Sequence, residues 1–385
     1  RSRFRRRSMC STTICRQSAF EDFRNLSWII RHTRRSRAPT PAGSSFWTLC
    51  KTASTVSAGH WTCSAISSIV AVKYPFSSRL PIIHSAIDNG INFIDTSNVY
   101  AQGLSEEYIG HALKDRRDEM LVGTKFGSMR RQGPNNFGGS RNFVMRSVEE
   151  SLQRLQTDYI DVYMIHRPDP RLPIEETLRA LDDLVRDGKI RYTAGCNFEA
   201  WRLVNAEWTN RKNGFVPLGA SQFAYSMVTR SAEAEMIPAC RELGISVIPY
   251  LPLAAGMLSG KVNATGTAPD GTRLAIEGNM ADRWITPNNL ELVRLLSEWA
   301  NERRHTVLEL AFAWLLAEPI VATVIAGASS PAQIESNAKA AEWQLTPEER
   351  IEVTTILDAN PPENGGDYYS AAGYFAQPTL ETPKP

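Results

Sequence analysis

Short apolar runs alternate with amphipathic segments from about residue 81 onward. Each run spans five to seven residues, a length that suits a buried strand. The strands predicted in this way are Ile91–Thr96, Met120–Phe126, Ile160–His166, Tyr192–Cys196, Leu218–Phe223, Ser246–Tyr250 and Ala322–Ala326. This part of the chain is therefore predicted to consist of repeated strand–helix units.

Helical patterns fill the intervals between these strands, with apolar residues three or four positions apart. The clearest patterns lie in residues 141–155, 173–189, 231–244 and 289–304. The predicted inner faces are Val144, Val148, Leu152 and Leu155 in the first helix, and Leu178, Leu181 and Val185 in the second, which Gly188 ends as a C-cap.

Repeated strand–helix units form a parallel sheet. Seven visible units are one short of an eightfold barrel, and roughly 280 residues is an ordinary barrel length. A doubly wound sheet is the alternative, but no Gly-x-Gly-x-x-Gly follows an early strand. The sequence therefore predicts a (β/α)8 TIM barrel over residues 80–360, followed by a C-terminal tail, residues 361–385.

Residues 1–79 differ from the rest, because they show no sustained strand or helix period. They are rich in Ser and Arg and are expected to form a poorly ordered basic extension. A mitochondrial-type transit peptide, a disordered basic arm, or translation of a wrong frame or intron are the open explanations. The first barrel strand is therefore expected to be missing or substituted, with residues 65–75 as the best substitute. A missing strand would leave an open sheet edge.

Charge and cysteine content narrow the function classes. The chain has a net charge of +2, yet residues 1–80 carry fourteen Lys and Arg against two acidic residues, so the remainder is acidic. An acidic body argues against a nucleic-acid-binding domain. The six Cys and six His form no disulfide framework or zinc signature, so we expect no metal and a reducing, cytoplasmic location.

Two runs with few or no charges have the length of a membrane span. Residues 52–72 contain eight Ser or Thr, and residues 308–328 are interrupted by Glu318-Pro319, so neither matches an apolar span of about 20 residues. The expected partner is therefore a small molecule, with no nucleic acid or membrane bound, and the chain is expected to be a monomer or a weak homo-oligomer.

Titratable residues stand at the ends of three predicted strands. Asp95, Lys125 and His166 end the strands, and Tyr100 follows Asp95 in the next loop. Each has a purely structural explanation. Asp95 could cap a turn, and Lys125 could be a solvated strand end. His166 could be a structural histidine with its hydrogen bonds satisfied, and Tyr100 could pack within its loop. In a barrel, however, the C-terminal ends of all strands meet at one mouth, so the four side chains are expected to converge there.

Together these four residues suit a proton donor. A tyrosine has a pKa of about 10, and a neighbouring lysine cation lowers it by stabilising the phenolate. A buried lysine needs a carboxylate partner such as Asp95 to stay charged. A histidine within hydrogen-bond reach polarises a carbonyl oxygen. The sequence therefore predicts protonation of an oxygen as negative charge develops on it, as carbonyl reduction requires.

Several longer motifs are similar to those of one known family. They are GINFIDTSNVYAQGLSEEYIGHAL, LVGTKF, SLQRLQTDYIDVYMIHRPDP, GKIRYTAGCNF and IAGASSPAQIESN. From about residue 80 to 358 the chain resembles an aldo-keto reductase. The resemblance implies an (α/β)8 barrel, NADPH as the hydride donor, and a catalytic tetrad at Asp95, Tyr100, Lys125 and His166, with Tyr100 as the general acid.

The loops after the last two predicted strands suit a phosphate group. Small residues in 250–261 let backbone amides approach an anion, and Ser330 with Pro331 predicts a helix N-terminus facing the second loop. An ordinary capped helix is the alternative. The resemblance implies a cofactor site at Cys196, Asn197, Gln222, Tyr250, Leu251, Leu253, Gly256, Lys261, Arg273, Gly327, Ser329, Gln333 and Asn337.

By the same resemblance, Cys196, Asn197 and Gln222 grip the nicotinamide amide, and Tyr250 stacks on its ring. Cys196 stands where the family usually has Ser, Leu251 replaces a common Ser, and Ser336 replaces a frequent Glu. Because Gln333 is uncharged, selectivity for NADPH over NADH rests on Arg273 and Lys261. Substrate selectivity is expected from residues 128–140, 253–288 and 361–385.

The leading hypothesis is an NADPH-dependent oxidoreductase that reversibly reduces small to medium aldehydes or ketones to alcohols. The first alternative is an NADPH-binding regulatory subunit resembling the potassium-channel β subunits. His166 argues against it, because those proteins commonly lack that histidine. The second alternative is a chain made inactive by its atypical N-terminus.

Overall fold

Eight parallel strands close into a barrel in the computed structural model, and their order around the barrel follows the chain. The strands are β1 (Ile66–Val70), β2 (Phe93–Asp95), β3 (Leu121–Phe126), β4 (Ile160–Ile165), β5 (Ile190–Cys196), β6 (Leu218–Ala224), β7 (Ser246–Tyr250) and β8 (Val324–Ala328). Strands β2 to β8 match the seven predicted runs to within two residues at either end. The predicted (β/α)8 TIM barrel is confirmed.

The structure describes residues 66–70, 80–128, 135–263, 265–270, 272–276 and 284–363, and of residues 66–70 it gives the backbone. All of these residues belong to one compact unit, Ser45–Pro385. Most of the expected basic extension, the tail beyond residue 363 and residues 129–134 of the expected mouth loop lie outside the described residues. No helix within the described ranges is long and apolar enough to traverse a bilayer.

The first strand departs most from expectation. Strand β1 lies within the proposed substitute segment 65–75 and thus N-terminal to residue 80, where we expected the barrel to start. Its residues pair in parallel register with all of β8, from Ile66 opposite Val324 to Val70 opposite Ala328, and Ser68 pairs with Ile94 of β2. The substituted first strand therefore closes the barrel, and the open sheet edge that we considered is not present.

Helices surround the barrel and connect successive strands. They are α1 (Leu80–Asp88), α2 (Leu104–Ala112), α3 (Arg141–Leu155), α4 (Ile174–Arg186), α5 (Ala200–Asn213), α6 (Met236–Leu243), α7 (Arg273–Ile276), α8 (Pro287–Glu302), α9 (Val307–Leu316), α10 (Pro331–Ala340) and α11 (Pro347–Ala359). Apolar spacing predicted the buried faces well. All four residues predicted for α3 are buried. In α4, Leu178 and Leu181 are buried, whereas Val185 packs against the core but stays partly exposed.

Apolar side chains from the strands, and from Ala322 just before β8, fill the interior of the barrel. They are Phe93, Val162, Met164, Ala194, Ala220, Ile248, Ala322 and Ile325. Gly123 of β3 lies beside this layer and has no side chain of its own. A Cβ atom on Gly123 would lie 2.7 Å from Cζ of Phe93 and 3.0 Å from Cε of Met164. The ring of Phe93 therefore fills the space that a side chain at position 123 would need.

We expect Gly123→Ala to destabilise the fold by roughly 1–3 kcal/mol, because the added methyl overpacks a filled interior. Equilibrium unfolding in urea measures the change. Phe93→Leu removes the obstructing ring atoms, so the double variant should lose less stability than the two single variants combined. Strictly additive losses would show that Phe93 is not the obstacle.

Candidate functional site

Asp95, Lys125 and His166 lie at the same end of neighbouring strands. Each stands two positions after an inward-facing residue of its strand. Because side chains along a strand alternate between its two faces, the three side chains also point into the barrel. They lie just beyond the apolar interior layer, at the C-terminal mouth. The convergence predicted from the strand ends is therefore present.

Lys125 and Asp95 form a fully buried ion pair. The exposed fraction is 0% for Lys125 and 1% for Asp95. The Lys125 ammonium donates to Asp95 Oδ2 and, over 2.9 Å, to the backbone carbonyl of Thr96. Burial works to lower the pKa of Lys125, but the negative charge of Asp95 and its hydrogen bond to the ammonium act in the opposite direction, and the pKa is raised. Lys125 therefore carries its charge at neutral pH.

Tyr100 begins a short 3-10 turn, Tyr100–Gly103, in the loop after β2. Ala101 and Gln102 have φ values of 46° and 59°, so the chain turns sharply just after the tyrosine. The Lys125 ammonium lies 5.1 Å from the centre of the Tyr100 ring. Tyr100 is partly buried, and its phenol lies beside the ion pair as predicted.

The pKa of Tyr100 shifts in the direction opposite to the lowering predicted from the sequence. Burial raises the pKa above 10.0, Lys125 lowers it through its charge and a hydrogen bond, and Asp95 raises it again. The net pKa is raised, because desolvation of the phenolate exceeds the attraction of the lysine. Tyr100 therefore holds its proton throughout the neutral range.

His166 is the fourth residue of the group, beside Asp95, Tyr100 and Lys125. Its ring meets that of Tyr100 edge to face, with centroids 5.8 Å apart and an interplanar angle of 82°. Nδ1 lies 3.2 Å from Ser97 Oγ and 3.3 Å from Ser128 Oγ. Burial, Lys125 and Arg167 hold the pKa of His166 well below its usual value. The ring is therefore neutral at neutral pH, and the hydroxyls of Ser97 and Ser128 engage its Nδ1.

Asn197 joins β5 to β7 at the mouth. It follows β5 in a left-handed conformation, with φ of 57°. The Tyr250 hydroxyl donates to Asn197 Oδ1 over 2.6 Å, and Asn197 Nδ2 donates to the His166 carbonyl and to Cys196 Sγ over 3.1 and 3.2 Å. Burial raises the pKa of Cys196 to about 12, so its thiol keeps a proton to donate.

Gln222 extends this set of contacts to the ion pair. Cys196 Sγ donates to Gln222 Oε1 over 3.4 Å, and Gln222 Nε2 donates to Asp95 Oδ1 over 3.0 Å. The residues expected around the nicotinamide amide thus lie together, and they are linked by hydrogen bonds to the expected proton donor.

The segment after β7 carries the next expected cofactor residues. Leu251 and Gly256 have φ values of 55° and 116°, and Ala254 and Ala255 between them are also left-handed. Two backbone amides of this segment are engaged within it, because Ala254 N–H donates to the Leu251 carbonyl and Gly256 N–H donates to the Leu253 carbonyl. Leu253 precedes the turn Ala254–Ser259. The two expected cations come later: Lys261 is exposed, and Arg273 is the first residue of α7.

The remaining expected residues lie on β8 and α10. Gly327 and Ser329 are exposed near the end of β8. Ser330 caps α10, where its hydroxyl accepts from the backbone N–H of Gln333 over 3.3 Å. The Gln333 side chain in turn accepts from the N–H and hydroxyl of Ser329 over 2.7 and 3.0 Å. Asn337 is buried one turn later. The helix N-terminus expected at this loop is therefore present.

The model of one protein family, the aldo/keto reductase family, matches residues 59–358, which is most of the chain and includes β1. The chain belongs to the aldo/keto reductase family. The resemblance drawn from the sequence motifs is thereby confirmed, and it extends N-terminal to residue 80.

Named relatives of this aldo/keto reductase differ in their described roles. It is 35% identical over 297 residues to the uncharacterized oxidoreductase YrpG of Bacillus subtilis, covering 74% of this chain and 87% of that protein. It is 32% identical over 279 residues to L-glyceraldehyde 3-phosphate reductase of Escherichia coli K12, covering 68% and 78%. It is 36% identical over 293 residues to "Putative voltage-gated potassium channel subunit beta" of Schizosaccharomyces pombe, covering 73% and 84%.

Two serines of this aldo/keto reductase were missed by the sequence reasoning. Ser97 and Ser128 both meet Nδ1 of His166, from the loops after β2 and β3. Ser97 lies within the motif around Asp95 but was given no role. A small hydroxyl residue directly after a strand end is the signal that would have identified it.

Proposed function

We propose that this chain is an NADPH-dependent oxidoreductase that reduces aldehydes or ketones to alcohols, reversibly. Tyr100 is the proton donor, and Lys125, Asp95 and His166 support it. One observation carries this proposal: a protonated phenol, a charged lysine and a neutral histidine converge at the mouth of a barrel of this family. These are the groups that protonation of a carbonyl oxygen requires.

The donor set at the mouth fits a phosphate-bearing dinucleotide. The positive end of the helix dipole at the start of α10 favours an anion. Gly327 is exposed and has no side chain to block close approach. Tyr250 at the end of β7 presents an aromatic ring, and Lys261 presents a positive charge. Together these residues would hold NADPH along the loops after β7 and β8.

Bound NADPH supplies a hydride from C4 of the nicotinamide. The protein residues handle the oxygen atom of the substrate. His166 orients the carbonyl through Nε2, because its Nδ1 is engaged by serine hydroxyls. Tyr100 gives its hydroxyl proton to the oxygen as negative charge grows there. Lys125 stabilises the resulting phenolate, and Asp95 keeps Lys125 charged and in place.

The experiment that tests this function is carbonyl-dependent oxidation of NADPH by the purified chain, with 4-nitrobenzaldehyde as a broad substrate. We expect NADPH consumption matched mole for mole by the alcohol product. Absence of turnover with a panel of aldehydes and ketones, despite tight NADPH binding, would overturn the proposed reaction.

A second candidate function is a cofactor-binding regulatory subunit, which the similarity to the Schizosaccharomyces pombe protein favours. The presence of His166 beside Tyr100 favours the enzyme instead, because a binding subunit needs no group to orient a carbonyl. An inactive chain is not favoured, because β1 completes the barrel. Tight NADPH binding without turnover would support the regulatory subunit.

We expect Lys261→Ala to weaken binding of NADPH but not of NADH, because a cation near the 2′-phosphate makes a charge-assisted contact. Such a contact contributes roughly 1.5–3 kcal/mol, which corresponds to about a tenfold to hundredfold change in Kd. Fluorescence titration with both nucleotides measures the effect. Lys339→Ala is the matched control, since Lys339 is exposed at the far end of α10. Equal weakening of both nucleotides would show that Lys261 does not contact this phosphate.

A further inference from the structure

One buried carboxylate joins the loop after β4 to the loop after β3. The side chain of Asp169, three positions beyond His166, is only 2% exposed. Its Oδ1 accepts from the backbone N–H and from Nε of Arg171 over 3.0 and 2.8 Å. Its Oδ2 accepts from Nη2 of Arg171 over 2.7 Å and from the N–H of Gly139 over 3.2 Å. Arg171 therefore holds both oxygens of Asp169, and one of these oxygens also holds the loop after β3.

Two glycines in the loop after β3 make room for this carboxylate. A Cβ atom on Gly138 would lie 2.1 Å from Asp169 Oδ2, and Gly138 has a φ of 94°, so both space and backbone conformation disfavour a side chain there. The carbonyl of the next residue, Gly139, accepts from the buried hydroxyl of Thr177 over 2.7 Å. Gly139 is thus held through its N–H by Asp169 and through its carbonyl by Thr177.

The same part of the loop closes on its own base, next to His166. The N–H of Gly138 donates to the carbonyl of Gly127 over 2.9 Å. A Cβ atom on Gly127 would lie 3.3 Å from the carbonyl oxygen of Arg167, so the chain at Gly127 packs against the residue that follows His166. Ser128 comes directly after Gly127, and its Oγ lies 3.3 Å from His166 Nδ1. The position of the Ser128 hydroxyl therefore depends on the closed base of this loop.

Ser97 reaches the same nitrogen by a separate route. Its Oγ lies 3.2 Å from His166 Nδ1 and comes from the loop after β2. The residues on either side of Ser97 donate backbone N–H groups to carbonyls of β3, Thr96 to Gly123 over 2.8 Å and Asn98 to Lys125 over 3.2 Å. Neither bond involves the carboxylate after β4, so the two serines hold the histidine ring through different supports.

We propose that Asp169 is a positioning residue for His166: it holds Gly139, which keeps the base of the loop after β3 closed and Ser128 against Nδ1 of the ring. This inference rests on the proposed function, in which His166 orients the carbonyl of the substrate. A displacement of about 1 Å in such a group lowers the rate by as much as a hundredfold. Asp169 lies away from the loops after β7 and β8, so its loss should impair turnover and spare NADPH binding.

Asp169→Asn tests this role with little change in volume. The carboxylate accepts four hydrogen bonds, two at each oxygen, and an amide presents a donor in place of one oxygen, so either orientation of the amide loses two of them. We expect kcat/KM for 4-nitrobenzaldehyde to fall roughly tenfold to hundredfold, whereas Kd for NADPH changes less than about threefold. A wild-type kcat/KM in a folded Asp169→Asn variant would overturn the inference.

Asp182→Asn is the matched control for a merely structural effect. Asp182 is also buried, and it accepts from Arg186 Nε over 2.7 Å and from the Val216 N–H over 2.9 Å. Val216 precedes β6, so this carboxylate serves the end of the barrel opposite the mouth. Asp182→Asn should lower stability and leave kcat/KM unchanged. An equal fall in kcat/KM in both variants would mean that Asp169 acts through general stability, which would overturn the inference.

A double-variant cycle tests the route through Ser128. Ser128→Ala removes the hydroxyl at the end of that route, so adding Asp169→Asn to it should lower kcat/KM little further. Ser97→Ala removes the other hydroxyl, and its effect should at least multiply with that of Asp169→Asn. If the effects of Asp169→Asn multiplied fully with those of both serine variants, Ser128 would not carry the influence of Asp169 and the inference would be overturned.

A second measurement needs neither cofactor nor turnover. Nitrogen NMR of the histidine-labelled, ligand-free protein reports the hydrogen bonding of His166 Nδ1, once the resonance is assigned with His166→Gln. Asp169→Asn should shift this resonance in the same direction as Ser128→Ala, and so should Gly138→Ala, whose added methyl displaces the carboxylate. An unchanged resonance in both variants would overturn the inference. Failure of the proposed function looks different, because the wild-type chain would then turn over no carbonyl while the resonance still shifted.

Discussion

Tyr100→Phe is expected to abolish carbonyl reduction while leaving NADPH binding unchanged. A positioned general acid contributes roughly a hundredfold to ten-thousandfold to the rate, so kcat should fall by that factor. The ring itself remains, and with it the packing against His166 and the contact with Lys125. Stopped-flow measurement of hydride transfer, together with fluorescence titration of NADPH, separates the chemical step from binding.

Tyr163→Phe is the matched control for Tyr100→Phe. Tyr163 of β4 is fully buried and stacks on Phe126, outside the barrel interior. Its hydroxyl has no hydrogen-bond partner among the described residues. Removing that hydroxyl should leave kcat unchanged and should not lower stability, because no hydrogen bond is lost. Unchanged activity in Tyr100→Phe as well would disprove Tyr100 as the acid.

The pH dependence follows from the raised pKa of Tyr100. Reduction needs the protonated phenol, so its rate should stay level through neutral pH and fall only in strongly basic solution. Alcohol oxidation needs the phenolate and should rise with pH over the same range. The fall in the reduction rate and the rise in the oxidation rate should therefore occur over the same basic pH range. Neither change should be seen in Tyr100→Phe.

Much of the fold could be predicted from the sequence because its determinants are local. Short, largely apolar runs of five to seven residues predict each strand from β2 to β8, and the polar residue that ends β2 marks the mouth. Strand β1 was harder, because Ile66–Val70 lies in a polar segment without a period, and only its pairing with β8 makes it a strand. The barrel requires that strand, but the local sequence pattern does not predict it.

The sequence predicted which residues meet at the barrel mouth, but it did not predict the contacts between them. Asp95, Tyr100, Lys125 and His166 follow from strand ends and motifs, yet the direction of the Tyr100 pKa shift depends on how deeply the phenol is buried. No spacing rule relates Gln222 to Asp95, because they meet across the barrel from distant segments. Contacts of this kind are set by barrel closure and become visible only in three dimensions.

Lys125→Met should be the most damaging single change to the structure of the site. It removes the cation that stabilises the phenolate, and it leaves the Asp95 carboxylate buried with a hydrogen bond from Gln222 but no opposite charge. Breaking a buried ion pair by removing one partner destabilises a protein by about 3–5 kcal/mol. Urea unfolding should show this loss, and the loss should shrink in acid, where a protonated carboxyl group has no charge to bury.

The double variant Asp95→Asn/Lys125→Met separates the two roles of the pair. It removes both charges with little change in volume, so stability should return to within roughly 1–2 kcal/mol of the wild type, while activity should stay as low as in Lys125→Met. Recovery of stability without activity would mean that the ion pair is kept for chemistry, since its charges are not needed for folding. Recovery of both would show that Tyr100 needs no lysine, and absence of recovery would show that residues 95 and 125 do not act as a pair.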